Sequence, residues 1–242
     1  MLKLLLRLFI GGIVLTCLAI FAGLTYLGIT PLSKVFGTGQ HDLGITVSQA
    51  ETTAAINKVG TQIVALPADT PAEMGFRLEG SRKADFTMDS QELSAHSNNR
   101  PWKNYPLKNV QIKIHDDGTI ESSAILVIDK AMPYAMGLGY SEAQIRDAMA
   151  KYAIPPISVP IYIKGKGSVL ANRTSVAAET VKLGNVTIPT DIVQQANAAA
   201  EVVLDDLITR NKQSFNCESL SFQDGKMRFK GTVAEKQFVV TE

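Results

Sequence analysis

The sequence predicts an α+β protein: an N-terminal transmembrane helix, then a curved antiparallel sheet packed on a long C-terminal helix. Three observations predict it. Residues 8–29 form an almost unbroken apolar run, two Asp-Gly pairs each sit between alternating apolar stretches, and Thr190 to Thr209 carries one apolar stripe at helical spacing. Strands and helices do not alternate one for one, which argues against a parallel, doubly wound sheet. The 242 residues are 45% apolar and 19% charged, too apolar for a disordered chain. Balanced charge, 24 basic against 23 acidic residues, gives no sign of a nucleic-acid partner.

The first element is the apolar run. Lys3 and Arg7 precede it and no charged residue follows until Lys34. About 22 helical residues extend roughly 33 Å, enough to cross a bilayer core. A cleaved signal peptide would have a shorter apolar region ending in a small-x-small site, and Ala19 and Ala22 have the wrong spacing for one. Leu15-Thr16-Cys17 lacks the small residue that a lipid-modified cysteine needs before it. The two N-terminal cations keep the N-terminus cytoplasmic, so the expected location is the cell membrane, single-pass, with the remaining domain extracytoplasmic. Pro31, Gly37 and Gly39 make 30–40 a neck.

Residues 41–85 read as a helical and loop subregion, and 86–242 as the α+β domain. Ser48-Gln49-Ala50-Glu51 and Asp89-Ser90-Gln91-Glu92 both have capping-box spacing. Each follows an apolar-Thr-apolar triplet. That is either an internal repeat offset by 41 residues or two unrelated helix starts. Pro67 to Glu79 reads as loop, and Asn98 to Trp102 as a turn. Val110, Ile112 and Ile114 alternate with polar residues, Asp117-Gly118 turns, and Thr119 to Ile128 returns. Leu220 and Phe222, Asp224-Gly225, then Met227 and Phe229 repeat the device. Between these, Ser141 opens a helix with Ile145, Ala148, Met149 and Tyr152 on one face, stopped by Pro155-Pro156. Ile157 to Ile163 reads as a strand that Pro160 confines to an edge or a bulge. Gly165-Lys166-Gly167 reads as a turn, followed by strands at Ser168–Ala171 and Thr174–Leu183. Pro189 then introduces the long helix, whose inward stripe is Val193, Ala196, Ala200, Val203, Leu204 and Leu207.

Catalytic patterns are missing from the sequence. His41, His96 and His115 have no partner at metal-ligand spacing, and no P-loop, dinucleotide or Gly-x-Ser-x-Gly pattern occurs. No enzyme activity, metal or cofactor is therefore expected. His115-Asp116-Asp117 reads as a hairpin turn. Lys164, Lys166 and Arg173 form a basic patch that reads either as a solvated loop or as a contact for anionic head groups or wall polymers, and Trp102 and Tyr105, flanked by Arg100, Lys103 and Lys108, read either as rim residues of the core or as a docking surface. Cys217 reads as a buried thiol.

The order of Phe86-Thr87-Met88-Asp89-Ser90-Gln91-Glu92-Leu93, Val110 to Ile120, Ile157 to Ile163, Val181 to Pro189, and Leu220 to Thr232 resembles the YpmS-like bacterial proteins. These have one membrane anchor and an extracytoplasmic domain. The likeness covers roughly 86–234 and is structural. Such proteins are similar in turn to tubular lipid-binding (TULIP-type) domains, in which a curved sheet wraps a long helix and an acyl chain lies in the seam. The resemblance implies a non-catalytic, membrane-anchored binding protein for a lipid or other apolar ligand. The ligand-binding seam would lie between Ile157, Val159, Ile161 and Ile163 on the strand and Val193, Ala196, Ala200, Val203 and Leu207 on the helix. The same faces also suit an ordinary dry core. The alternative is a scaffold subunit that binds a membrane or cell-envelope protein.

Overall fold

A computed structural model describes residues 39–143, 145–146 and 158–241. The apolar run at 8–29 and most of the helix after Ser141 lie outside these residues. Among the described residues no helix is long and apolar enough to cross a membrane.

The protein is α+β with mostly antiparallel pairing. Helix α1 (Gln49–Val59) opens with a full capping box on Ser48 and Glu51, and Gly60 closes it in the left-handed conformation. Strands β1 (Gln62–Leu66) and β2 (Phe76–Glu79) follow, then β3 (Arg82–Asp89). Helix α2 (Ser90–Asn98) has the second capping box, Asp89 with Glu92. Strands β4 (Leu107–Ile114) and β5 (Ile120–Leu126) form the first Asp-Gly hairpin, and helix α3 (Ile128–Gly137) follows. Strands β6 (Val159–Leu170), β7 (Arg173–Leu183) and β8 (Val186–Thr187) precede α4 (Thr190–Arg210). Strands β9 (Asn216–Gln223), β10 (Lys226–Val233) and β11 (Lys236–Val240) complete the chain, so the long helix is not the C-terminal element.

Eight strands form one sheet in the order β3-β10-β9-β6-β5-β4, with β7 on the other side of β6 and β8 on the end of β7. The other three form a small sheet, β1-β11-β2, in which β1 and β11 run parallel. That small sheet ties 62–79 to 236–240, and β3 runs straight through the expected boundary at 85/86. The 41–85 stretch is thus woven into the domain. The repeat suggested by the two capping boxes ends at the helices: β3 leads into α2, whereas 45–47 is not a strand.

Strand β6 corrects two expectations. It is one continuous strand of 12 residues, and Gly165 to Gly167 lies inside it. The reason is close approach. A Cβ on Gly165 would collide with the Ala177 carbonyl of β7, beside the bulge that leaves Glu179 unpaired. Nor is β6 an edge, since β5 and β7 flank it. Pro160 is tolerated because its carbonyl accepts from Gly184 N–H at 2.7 Å. In an antiparallel strand the N and C=O of a residue face the same neighbour. The missing donor therefore points past the end of β7, which stops at Leu183, and the β5–β6 ladder loses nothing.

Two edges of the large sheet, β4 and β7, are closed by helices through side chains. On α2, Ser90 Oγ accepts from Ile114 N–H at 2.9 Å. Ser94 Oγ accepts from Ile112 N–H at 2.8 Å, and Asn98 Oδ1 from Val110 N–H at 2.8 Å. On α4, Asn197 Oδ1 accepts from Ala178 N–H at 3.2 Å, Glu201 from Val176 N–H at 2.8 Å and Asp205 from Thr174 N–H at 2.8 Å. Both ladders step four residues along a helix for two along a strand. Four helical residues rise about 6.0 Å and two strand residues about 6.6 Å, so three successive bonds stay in register. Edge N–H groups that would otherwise recruit another strand are thereby satisfied.

Candidate functional site

The expected seam is not the place where helix and sheet meet. Helix α4 packs along β7, which stands between it and the Val159–Ile163 stretch of β6. Val159, Ile161, Val193, Ala196, Ala200 and Leu207 are buried, and Ile163 and Val203 are half-buried. All of these but Ala200 belong to or pack against one continuous hydrophobic cluster that also includes Val181 and Leu183 of β7. Ile157 lies outside the described residues.

The basic patch is neutralised in part. Arg173 pairs with Asp205 at 3.2 Å, and Lys166 donates to the Asp117 carbonyl at 3.2 Å. His115 Nε2 lies 2.6 Å from Glu121, which also accepts from the Tyr162 hydroxyl at 2.6 Å. That hydroxyl bond, followed by His115, holds the Glu121 carboxyl below its ordinary range despite partial burial. Cys217, on β9, is fully buried, and desolvation pushes its thiol up to about 12.

The feature with unusual chemistry is a cleft of about 450 Å³ at the end of α2. Helix α2 stops at Asn98, and Pro101 bars its continuation. The chain then turns through Arg100 and Trp102 to Tyr105 and enters β4. At Asn109–Val110 the β4–β5 register slips, two residues facing Ala124 alone, and Asn109 takes φ +53°. Such bulges re-aim side chains, often beside functional sites. Lys130, in the first turn of α3, faces the same cleft, and Trp102, Tyr105 and Leu107 supply apolar wall. Trp102 is held by stacking on Phe76 and by Tyr134, with ring centroids 5.6 and 4.9 Å away. Gly137 of α3 allows this: a Cβ there would come within 2.6 Å of the indole. The single tryptophan is thus a core residue as well as a wall of the cleft.

Arg100 is the anomaly. Its Nε, Nη1 and Nη2 are all buried, and the Tyr105 hydroxyl is the hydrogen-bonding side chain beside them. Its guanidinium lies 5.7 Å from the centre of the Tyr105 ring. Burial pulls the Arg100 pKa down, and the Tyr105 and Tyr134 side chains oppose the shift. The cleft lining carries Arg100, Lys108 and Lys130 and no carboxylate. Lys130 also sits at the positive end of α3, where a cation is disfavoured.

The neck reaches this site. Gln40 Nε2 donates to the carbonyl of Asn109 at 2.5 Å, and Leu43 N–H donates to Gln111 Oε1 at 2.6 Å. His41 packs on the Tyr162 ring with centroids 4.5 Å apart. Sequence reasoning grouped Trp102 and Tyr105 with Arg100, Lys103 and Lys108 as one surface, but it missed the cleft because Arg100 looked like part of a polar turn. The signal available was a charged residue fixed between a helix stop and a proline, next to the only tryptophan. No protein-family model, curated protein or solved structure matches the chain.

Proposed function

We propose that this chain is a membrane-tethered, extracytoplasmic binding protein that holds a lipid-class molecule without turning it over. The observation that carries the reading is the buried Arg100 guanidinium, which lines a cleft with no carboxylate among its described lining residues. Burying an unpaired cation is costly, so a partner from outside the chain is the economical explanation. The apolar run at 8–29, with Lys3 and Arg7 before it, supports a single-pass anchor with a cytoplasmic N-terminus. The resemblance to YpmS-like and TULIP-type proteins supports a lipid ligand, with its place moved from the expected seam to the Arg100 cleft. Among the described residues, no set of converging nucleophile, base and oxyanion donors suggests chemistry beyond binding.

The test is recovery of the ligand. The full chain is isolated from its membrane in a mild nonionic detergent, extracted with organic solvent and analysed by mass spectrometry. A lipid enriched well above the bulk membrane composition, and lost from the Arg100→Gln variant, is expected. A chain that carries only bulk lipid in both forms refutes the reading.

A further inference from the structure

We infer that the outer edge of β1 is a self-association site, to which a second copy of this chain adds its own β1 in antiparallel pairing. This goes beyond the ligand-binding reading and does not depend on it. Other edge strands are guarded. Side chains of α2 and α4 satisfy β4 and β7, and β2 and β3 carry exposed charges, Arg77 and Glu79 on one and Lys83 and Asp85 on the other. Strand β1 reads Gln-Ile-Val-Ala-Leu, without a charge, and among the described residues only β11 pairs with it. Gln62 and Ala65 are exposed, and Ile63, Val64 and Leu66 are half-buried. Uncharged, apolar edges are the ones that recruit further strands. Pairing with β11 fixes which way the donors of β1 face. Gln62 N–H donates to the Glu235 carbonyl at 2.8 Å, so the backbone groups of Gln62, Val64 and Leu66 face β11. Those of Ile63 and Ala65 face away from the sheet.

A second copy fits because the strand is its own complement. Ile63 and Ala65 sit symmetrically about Val64. An antiparallel copy centred on Val64 therefore sets Ile63 opposite Ala65 of the second copy, and Ala65 opposite its Ile63. All four are outward-facing, and each such pair exchanges both N–H···O=C bonds. Val64 then meets Val64 of the second copy on the two-fold axis, and Gln62 meets Leu66. Valine against valine packs well across a pair of strands, and no like charges are opposed along β1. Pro67 follows directly and has no N–H to extend the ladder. The same patch is used on both copies, so the contact closes as a dimer.

The test is oxidative cross-linking of the full chain in a mild nonionic detergent, on a Cys17→Ser background. Cα atoms of a non-hydrogen-bonded antiparallel pair lie about 4.5 Å apart, within disulfide reach. Val64→Cys should therefore give a disulfide-linked dimer. Ile63→Cys alone should cross-link at least tenfold more slowly, because Ile63 and its own counterpart lie about 8 Å apart across the pair, beyond the limit of about 7 Å. Mixing Ile63→Cys with Ala65→Cys chains should restore cross-linking. Ala65→Pro removes an outward donor and leaves the β11 ladder intact. It should slow cross-linking of Val64→Cys at least tenfold, and sedimentation should show it as a monomer where the unaltered chain is a dimer. Circular dichroism establishes that each variant is folded. Should Ala65→Pro unfold, the cysteine series decides. A monomeric chain whose Val64→Cys form does not cross-link overturns the inference. So does cross-linking of Ile63→Cys as fast as that of Val64→Cys, which would reflect contact without this register. Amides of Ile63 and Ala65 that resist hydrogen exchange in a monomeric chain would assign the edge to another segment of the same chain, and would overturn it as well.

Discussion

Replacing Arg100 by methionine is expected to stabilise the ligand-free protein. An ion buried without a partner retains a penalty of several kcal/mol even after relaxation, and Tyr105 and Tyr134 offset part of it here. Methionine keeps an unbranched stem against the same walls and removes the charge. Exchanging buried charge for apolar packing has given gains of about 1–4 kcal/mol elsewhere, so a gain of about 1–3 kcal/mol is reasonable. For a domain of this size each kcal/mol moves the melting temperature by about 2–4 °C. The assay is calorimetric melting of delipidated full chain in phosphate-free buffer, wild type against Arg100→Met and Arg100→Lys. Methionine should raise the midpoint by roughly 3–10 °C, and lysine, which keeps the charge, should not. A melting point several degrees lower for Arg100→Met would refute the reasoning, since it would make Arg100 a structural residue.

The remaining expectations concern the frame around the cleft. Ser94→Ala leaves the Ile112 N–H buried and unpaired at the β4 edge. It should cost about 1–3 kcal/mol, read as a lower denaturation midpoint at unchanged slope. Glu201→Ala frees Val176 N–H on β7, and light scattering should show faster self-association on mild heating than in wild type. Glu121 has a folded-state pKa below its ordinary value near 4.5. Its stabilisation is therefore full above that value and is lost as pH falls through the lowered one. Glu121→Gln should flatten the stability profile between about pH 5 and pH 3, measured by denaturant melts. Cys217, buried with a pKa of about 12, should resist alkylation at neutral pH until the protein unfolds, as peptide mapping of the labelled chain would show.

What was legible in the sequence was local chemistry. Both capping boxes formed, because a side chain three residues from its partner needs no tertiary help. Both Asp-Gly hairpins formed, because a turn with positive φ sets the register of its own strands. Elements held by distant partners were not legible. Strands β1 and β2 are short and meet β11 across more than 150 residues of chain. Helix α3 contains Pro133 and ends at Gly137, two signals that ordinarily mark loops. The Gly165–Gly167 turn failed because glycine serves close approach as well as bending. Which strand the long helix covers could not be read from its apolar stripe, since β6 and β7 offer similar residues. The polar series Asn197, Glu201 and Asp205, spaced by four, did contain that information. It specifies a run of acceptors for an edge strand, and Ser90, Ser94 and Asn98 specify the same on α2.

Arg100 stands out against this consistency. Elsewhere at the ends of α2 and β4, donors and acceptors are matched one by one: Ser90 with Ile114, Ser94 with Ile112, Asn98 with Val110. Two residues beyond the last match, a guanidinium with five donors is buried beside the Tyr105 and Tyr134 side chains, with no carboxylate among the described residues that line its cleft. A fold able to satisfy three backbone amides in a row from one helix would have little difficulty placing a carboxylate or a carbonyl beside an arginine. Mutation toward leucine, methionine or glutamine would have been simpler still. Sites where local rules are broken without compensation inside the chain are where function is expected to reside. The cleft it lines is also the one whose Asn109 carbonyl is bonded by Gln40, so the site that breaks the local pattern is the site that the segment before the domain touches.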